Sequence, residues 1–373
     1  MNLSYWEYKS WLSNIDFTII GSGIVGLNAA LRLKEKYPES GILILERGFL
    51  PNGASTKNAG FACFGSLSEI LDDLNSQAES MVVNLVKKRI EGLELLRKIV
   101  GDKAMDYHIW GGYEFFTEDD VQTHEDCMAR MSWVNELLYP VFNDNVFSSC
   151  SNKFDFKKVR EPFIFNKFEG QINTGKMMES LLYKALSSGV KILNNVMVEG
   201  FSSNENSVEV KTNQFQYKTN KLLVASNGFA SQFGISEVKP ARAQVLVTKP
   251  IENLKIKGTF HLDKGYYYFR NIENRVLFGG GRNLDFKAEE TTEMVQTVLI
   301  QNRLEELLRT TILPDTKFEI EHRWSGIMGV GDTKAPILKP LSHNVVCGVR
   351  LGGMGVAIGS ITGRDLADLA INV

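Results

Sequence analysis

The residues best suited to chemistry are Gly21-Ser22-Gly23-Ile24-Val25-Gly26, with an acid, Glu46, twenty residues beyond Gly26. Gly21 allows a tight turn, Gly23 lets the backbone approach a pyrophosphate, and Gly26 lets a helix pack closely on a strand. A helix beginning at Ile24 offers unpaired N–H groups and the positive end of its dipole to phosphates. Glu46 stands where an acid accepts hydrogen bonds from a ribose diol. The pattern is that of a dinucleotide site. Two further stretches extend it. The run Pro51-Asn52-Gly53-Ala54-Ser55-Thr56-Lys57-Asn58-Ala59-Gly60-Phe61 is dense in glycine and small polar residues. Such a loop turns free backbone donors toward phosphates or a flat ring. Gly352-Gly353-Met354-Gly355-Val356 makes a second glycine-rich junction near the other end of the chain. It either packs a helix start on the sheet or aims a second helix amino terminus at another part of a large ligand. One such target is the pyrimidine edge of a flavin, where reduction develops negative charge.

These residues need a parallel sheet to hold them. Phe17–Ile20 and Ile42–Leu45 read as buried strands on either side of a helix from Ile24 to about Lys36, ended by Pro38 and Gly41. Lys221 to Ala225, leading to Ser226-Asn227-Gly228, and Val345 to Gly348 read as further strands. Residues 66 to 100 read as helical, with Val82, Val86, Leu93, Leu96 and Val100 on one face and Lys87-Lys88-Arg89 as a solvated run. Tyr107 to Thr117 reads as strand, Glu125 to Leu138 as helix, and 140 to 170 as loop. Arg242 to Thr248, Tyr266 to Arg270 and Arg275 to Gly279 have strand character. Met294 to Leu308 reads as a helix whose Val295, Val298, Leu299, Leu304 and Leu307 enter the core. The aromatic start (Tyr5, Trp6, Tyr8, Trp11) reads as an arm capping the core. The fold class expected is α/β, α+β overall: a parallel sheet flanked by helices, interleaved with a second domain of antiparallel strands and helices.

A chain of 373 residues has room for two domains, and 43% hydrophobic with 23% charged residues is ordinary globular composition. A formal net charge of −2 gives no electrostatic basis for binding nucleic acid or an anionic membrane. No stretch reads as a transmembrane helix, and the amino terminus lacks the pattern of a secretion signal. Cys63, Cys127, Cys150 and Cys347 have no C-x-x-C spacing and the five histidines no H-x-x-x-H spacing, so no metal site or disulfide framework is expected. This cysteine usage suits a reducing cytoplasm.

The chain resembles the FAD-dependent oxidoreductase superfamily of D-amino-acid oxidase, glycine oxidase and sarcosine oxidase, and within it gamma-glutamylputrescine oxidoreductase-like flavoproteins. The resemblance spans nearly the whole chain. It rests on Ser4-Tyr5-Trp6, Ile19 to Gly26, Gly53 to Phe61, Ala225 to Gly228, Pro240 to Val245, Tyr268-Phe269-Arg270, Leu277 to Gly280, Trp324-Ser325-Gly326 and Gly352 to Val356. It implies a Rossmann-like FAD-binding domain (1–65, 166–240 and 321–373) and a substrate domain on an antiparallel sheet (66–165 and 241–320). It assigns Gly21, Ser22, Gly23, Ile24, Val25 and Gly26 to the pyrophosphate, and Glu46 and Arg47 to the adenosine side. Ser55, Thr56, Lys57, Asn58, Ala59, Gly60 and Phe61 would follow the pyrophosphate, ribityl chain and ring. Val198 would touch adenine through its backbone, and Ser226, Asn227 and Gly228 would lie near the phosphates. Gly352, Gly353, Met354, Gly355 and Val356 would sit by the pyrimidine edge.

Two departures shape the expected chemistry. Relatives with covalent flavin carry a histidine where Lys57 stands, or a cysteine after the tryptophan motif, and 324–340 has none. Non-covalent FAD is therefore expected. Amino-acid oxidases carry an arginine in W-x-G-x-R-P that clamps the substrate carboxylate, whereas this chain reads Trp324-Ser325-Gly326-Ile327-Met328. The reaction implied is oxidation of the C–N bond of an amine or amino-acid-like substrate, with oxygen or another electron acceptor. Tyr266, Tyr267, Tyr268, Trp324 and Met328 are candidates for the pocket, and Arg242 and Arg270 for a substrate anion. A 2-hydroxy-acid dehydrogenase and a flavin-binding protein without turnover remain open on the same residues.

Overall fold

Phe17–Ile20, the strand that feeds the first glycine turn, lies inside a six-stranded sheet. The order is Ile337–Ser342, Val345–Val349, Lys221–Val224, Phe17–Ile20, Ile42–Leu45, Lys191–Leu193. The computed structural model describes residues 3–373. All neighbours in this sheet run parallel except the edge pair Ile337–Ser342 and Val345–Val349. Ile42–Leu45 is buried along its whole length, as a strand covered on both faces must be. Helices Ile24–Lys36 and Gly355–Asn372 pack on one another, and a Cβ on Gly363 would lie 2.5 Å from the Val25 carbonyl oxygen. A Cβ on Gly26 would lie 2.0 Å from the Gly21 carbonyl oxygen, so only glycine lets the first helix start hard against the turn.

The second sheet has eight strands in the order Ile320–Val330, Lys239–Thr248, Arg275–Gly280, Tyr267–Ile272, Thr259–Leu262, Gly112–Thr117, Val159–Asn166, Phe147–Cys150. Its pairings are antiparallel except Thr259–Leu262 with Gly112–Thr117. Phe115, Phe163, Phe260, Phe269 and Phe278 are fully buried there, with the Phe260 and Phe269 rings stacked at 4.5 Å. A smaller antiparallel sheet joins Val198–Ser203, Val208–Thr212 and Gln216–Thr219.

Several expectations need correcting. The 140–170 stretch contains strands Phe147–Cys150 and Val159–Asn166, because Phe147, Phe163 and Ile164 are core residues hidden among asparagines and lysines. The 66–100 stretch is two helices, Leu67–Leu74 and Glu79–Val100, the first opened by a Ser66/Glu69 capping box. Within the second, Lys87 and Lys88 are exposed but Arg89 is 3% exposed. The late helix is only Val298–Leu307, and Val295, Val298 and Leu299 are exposed while Leu304 and Leu307 are buried. Tyr5, Trp6, Tyr8 and Trp11 point outward, and of that arm Leu12 is buried. Among the described residues no helix is long and apolar enough to cross a membrane.

Candidate active site

The glycine turn, the 53–61 loop and the start of the last helix converge on a cavity of about 420 Å³. Gly21, Gly23, Ile24 and Val25 line it from the first turn, and Glu46 and Arg47 from the end of the next strand. Ser55, Lys57, Asn58, Ala59, Gly60 and Phe61 form a second wall. Val198, Ser226 and Asn227 close one end, and Gly352 through Val356 another. From the large sheet come Tyr266, Tyr268 and Met328. Ser22, Gly26, Thr56, Gly228, Arg270 and Trp324 lie behind the lining and hold it in place. Ser22 donates to Glu46 through both its N–H (3.2 Å) and its hydroxyl (2.8 Å). Thr56 bonds Pro51 O within its own loop (2.8 Å), and Gly228 packs on the Met328 backbone. Trp324 Nε1 donates to Lys57 O (2.9 Å). Arg270 is 2% exposed and donates to the carbonyls of Ala59 and Ile172, so it clamps the 53–61 loop; burial pulls it down to about 10. Arg242 is committed to a buried ion pair with Glu289 (2.7 Å), and Tyr267 is part of the aromatic core.

Electrostatically the cavity is prepared for anions at two places. Neither Gly23 nor Met354, which precede the two helices, supplies a side-chain cap, so both helix starts keep free N–H groups. At the first, Ser55 Oγ accepts from the Ile24 N–H (2.9 Å). Asn227 Oδ1 accepts from the N–H groups of Arg350 and Leu351 (3.1 Å each), tying the 226–228 turn to the last glycine junction. Arg47 lies over the Phe229 ring at 3.6 Å, a cation–π contact that flattens one end of the cavity.

The large-sheet side carries charges that have no local signature in the sequence. His261 lines the cavity and is bonded through Nε2 to Glu169, which also accepts from Thr259 (2.8 Å). Burial opposes the imidazolium, but Glu169, with Glu69 and Glu114, overcomes it and holds His261 up to about 9. Beside it, burial raises the Glu114 carboxyl, which accepts from both Ser66 and Ser68 hydroxyls. Cys63 Sγ, a Glu169 oxygen and a His261 nitrogen lie within 4.8 Å of one another, a grouping the scattered cysteines and histidines did not lead us to expect. Burial pushes the Cys63 thiol well up, so it is neutral. Strand pairing unites these residues: His261 stands opposite Glu114 across a parallel pair, and Phe61–Ala62, just before Cys63, pairs with Gly170–Gln171, just after Glu169. Arg89 is different, because its spacing of three and four from Val86 and Leu93 puts it on the apolar stripe of its helix. Tyr268, near Arg282, has its phenol pushed up to about 12, chiefly by burial.

A glycine turn feeding one helix and a second glycine junction feeding another, both opening on one cavity above a parallel sheet, define a dinucleotide-binding flavoprotein architecture. The chain belongs to the FAD dependent oxidoreductase family, whose model matches residues 16–369. It is similar to the probable oxidoreductase OrdL of Haemophilus influenzae, 21% identical over 96% of this chain and 83% of that one. It is also similar to gamma-glutamylputrescine oxidoreductase of Escherichia coli, 22% identical over 95% of this chain and 83% of that one. Among solved structures, glycine oxidase from Geobacillus kaustophilus superposes with a TM-score of 0.76 at 17% identity, covering 96% of this chain and 94% of that one. L-proline dehydrogenase from P. horikoshii gives 0.75 at 18%, with the same coverage. The cofactor is FAD, and the residues present fit it. Besides the two uncapped helix starts, a Cβ on Gly53, Gly352 or Gly353 would meet nothing within 4 Å, which leaves backbone open to a ligand. Ser226 Oγ is buried on the cavity wall with no partner.

Proposed function

We propose that this oxidoreductase acts on the C–N bond of an amine whose reacting carbon carries no carboxylate. The observation that carries the reading is that the cavity served by the two helix starts also runs between Tyr266, Tyr268 and Met328. Met328 stands where amino-acid oxidases place a clamping arginine, and a thioether is only a weak acceptor that cannot grip a carboxylate. The name of the E. coli relative, a gamma-glutamylputrescine oxidoreductase, supports the amine class. Bound FAD supplies a two-electron acceptor for the hydride of the carbon next to nitrogen, after which water hydrolyses the imine.

The chain's own residues perform the rest. Backbone N–H groups at Val25, next to the Ile24 N–H that Ser55 takes, and at Gly355 would face the pyrophosphate and the pyrimidine edge, and Glu46 the ribose diol. Lys57, Ala59, Gly60 and Phe61 would lie along the ring, non-covalently, with Arg270 and Trp324 fixing their carbonyls. Tyr266, Tyr268 and Phe61 wall the substrate side and exclude water, Phe61 and Tyr268 meeting edge to face at 5.6 Å. The amine must arrive or become unprotonated. The lining sets Arg89, Lys264, Arg282, Lys334 and cationic His261 against Glu69 and Asp72, a balance that favours release of the amine's proton. In the domain division we propose, 1–65, 166–240 and 321–373 hold the cofactor and 66–165 and 241–320 the substrate. The strand Ile320–Val330 serves both, hydrogen-bonded into the large sheet while Gly326 to Val330 line the cavity. Four unpaired cysteines accord with a cytoplasmic setting. Anaerobic mixing with an amine panel should bleach the flavin, and a 2-hydroxy-acid panel should not. Bleaching by hydroxy acids alone would overturn the proposal.

A further inference from the structure

Arg89 is an arginine in a core position. It completes the stripe Val82, Val86, Leu93, Leu96, Val100 on the helix Glu79–Val100 and is 3% exposed, yet it lines the cavity. Of its five N–H donors, one nitrogen reaches Phe64 O (2.7 Å), while buried Nε has no partner. No carboxylate lies within ion-pair distance of it among the described residues. The nearby acids are engaged elsewhere: Glu69 caps the start of its own helix through the Ser66 N–H (3.2 Å), and Asp73 pairs with Lys334 (2.7 Å). A buried guanidinium with no direct ion pair and incomplete hydrogen bonding is costly, and burial pulls its pKa down against the opposing charges of Glu69 and Asp73. Fold requirements do not explain it, since an apolar side chain would continue the stripe. Such a group is built for an anion that arrives with the ligand.

We propose that Arg89 binds a carboxylate on the substrate, carried at a distance from the carbon that is oxidised. This rests on the amine reading above: Met328 leaves the reacting carbon without a carboxylate clamp, and Arg89 supplies one from a different element. A guanidinium takes a carboxylate through N–H···O bonds, two of them parallel at best, and Arg89 lines the cavity with one nitrogen bonded to Phe64 and Nε unpartnered. The substrate class is then an ω-amino acid or an amine with a carboxylate-bearing tail.

The test pairs 6-aminohexanoate with 6-aminohexanamide, alike in length and different in terminal charge, in anaerobic flavin reduction by the FAD-loaded protein. Wild type should half-saturate at about ten- to a hundredfold lower concentration of the acid, the worth of a hydrogen-bonded charge. In Arg89→Met that ratio should fall to about one, and in Arg89→Lys it should be reduced but not lost. Equal behaviour of acid and amide in wild type, or a ratio preserved in Arg89→Met, overturns the proposal. Should Arg89→Met not retain FAD, an undiminished ratio in Arg89→Lys overturns it instead. A turnover-free arm titrates hexanoate and hexanamide against the flavin absorbance. If neither amine reduces the flavin, the amine reading fails, whereas hexanoate binding that exceeds hexanamide binding and weakens in the Arg89 variants still supports the anion site. Equal binding of the two by wild type overturns it.

Discussion

His261 ties the stability of the protein to pH in a way that can be measured. Its imidazole is buried against Glu169, and its pKa rises from 6.5 to about 9. Because the folded value lies above the unfolded one, the pair contributes fully below pH 6.5, and the contribution is lost as pH rises through about 9. The difference of 9 − 6.5 = 2.5 units, at about 1.4 kcal/mol each, amounts to about 3 kcal/mol. Denaturant unfolding of the FAD-saturated protein should therefore show that loss between about pH 6 and pH 9.5. Other groups titrate in that window, so the comparison is with His261→Gln, in which the pH-dependent part should shrink by about that amount. Glu169→Gln should act in the same direction, since it removes the charge that holds the proton on the ring. Identical pH dependence in wild type and His261→Gln would refute the reasoning, because it would mean that the ring holds its proton equally in the folded and unfolded states.

Three further outcomes are expected. Glu46→Ala should weaken FAD binding about ten- to a hundredfold, since the carboxylate both fixes Ser22 and Gly48 and is placed for the ribose; an unchanged dissociation constant would limit it to a strand end. Acid precipitation should release intact FAD into the supernatant, and flavin retained in the pellet would indicate a covalent bond. Met328→Arg should raise the reactivity of α-carboxylated amines relative to their uncarboxylated counterparts by about tenfold or more, read by stopped-flow flavin reduction; no change would remove Met328 from the substrate wall.

The glycine-lined side of the cavity was legible because each of its segments is a contiguous pattern in the sequence. A turn that needs glycine at Gly21 and Gly26, an acid after the next strand, and a second glycine run ahead of a helix are contiguous patterns. The structure brings those segments together on one cavity. The substrate half is assembled differently. Tyr266 and Tyr268 share a strand region, but Cys63, Glu114, Glu169 and His261 come one at a time from segments far apart in sequence. The parallel pairing of Gly112–Thr117 with Thr259–Leu262 unites Glu114 and His261, the antiparallel pairing of Phe61–Ala62 with Gly170–Gln171 brings together the segments that carry Cys63 and Glu169, and nothing local foretells either register. The strands between 140 and 170 lack a local signature for a related reason: their phenylalanines face a core made mostly by other strands.

Arg89 shows where a stronger reading of the same sequence was available. Taken by charge, Lys87-Lys88-Arg89 is a cationic run, and such runs are normally solvated. Taken by period, positions 82, 86, 89, 93, 96 and 100 alternate steps of four and three, the spacing of a buried helical stripe. The two rules conflict only at Arg89, and burial of an apolar stripe along the whole helix outweighs the solvation of one side chain in deciding which face turns inward. The helix cannot rotate to free Arg89 without exposing Val86 and Leu93. Its guanidinium is therefore held at the cavity wall by hydrophobic contacts it does not itself make, together with its bond to Phe64 O, which is how a fixed charge can be kept ready for a ligand without an ion-paired acid.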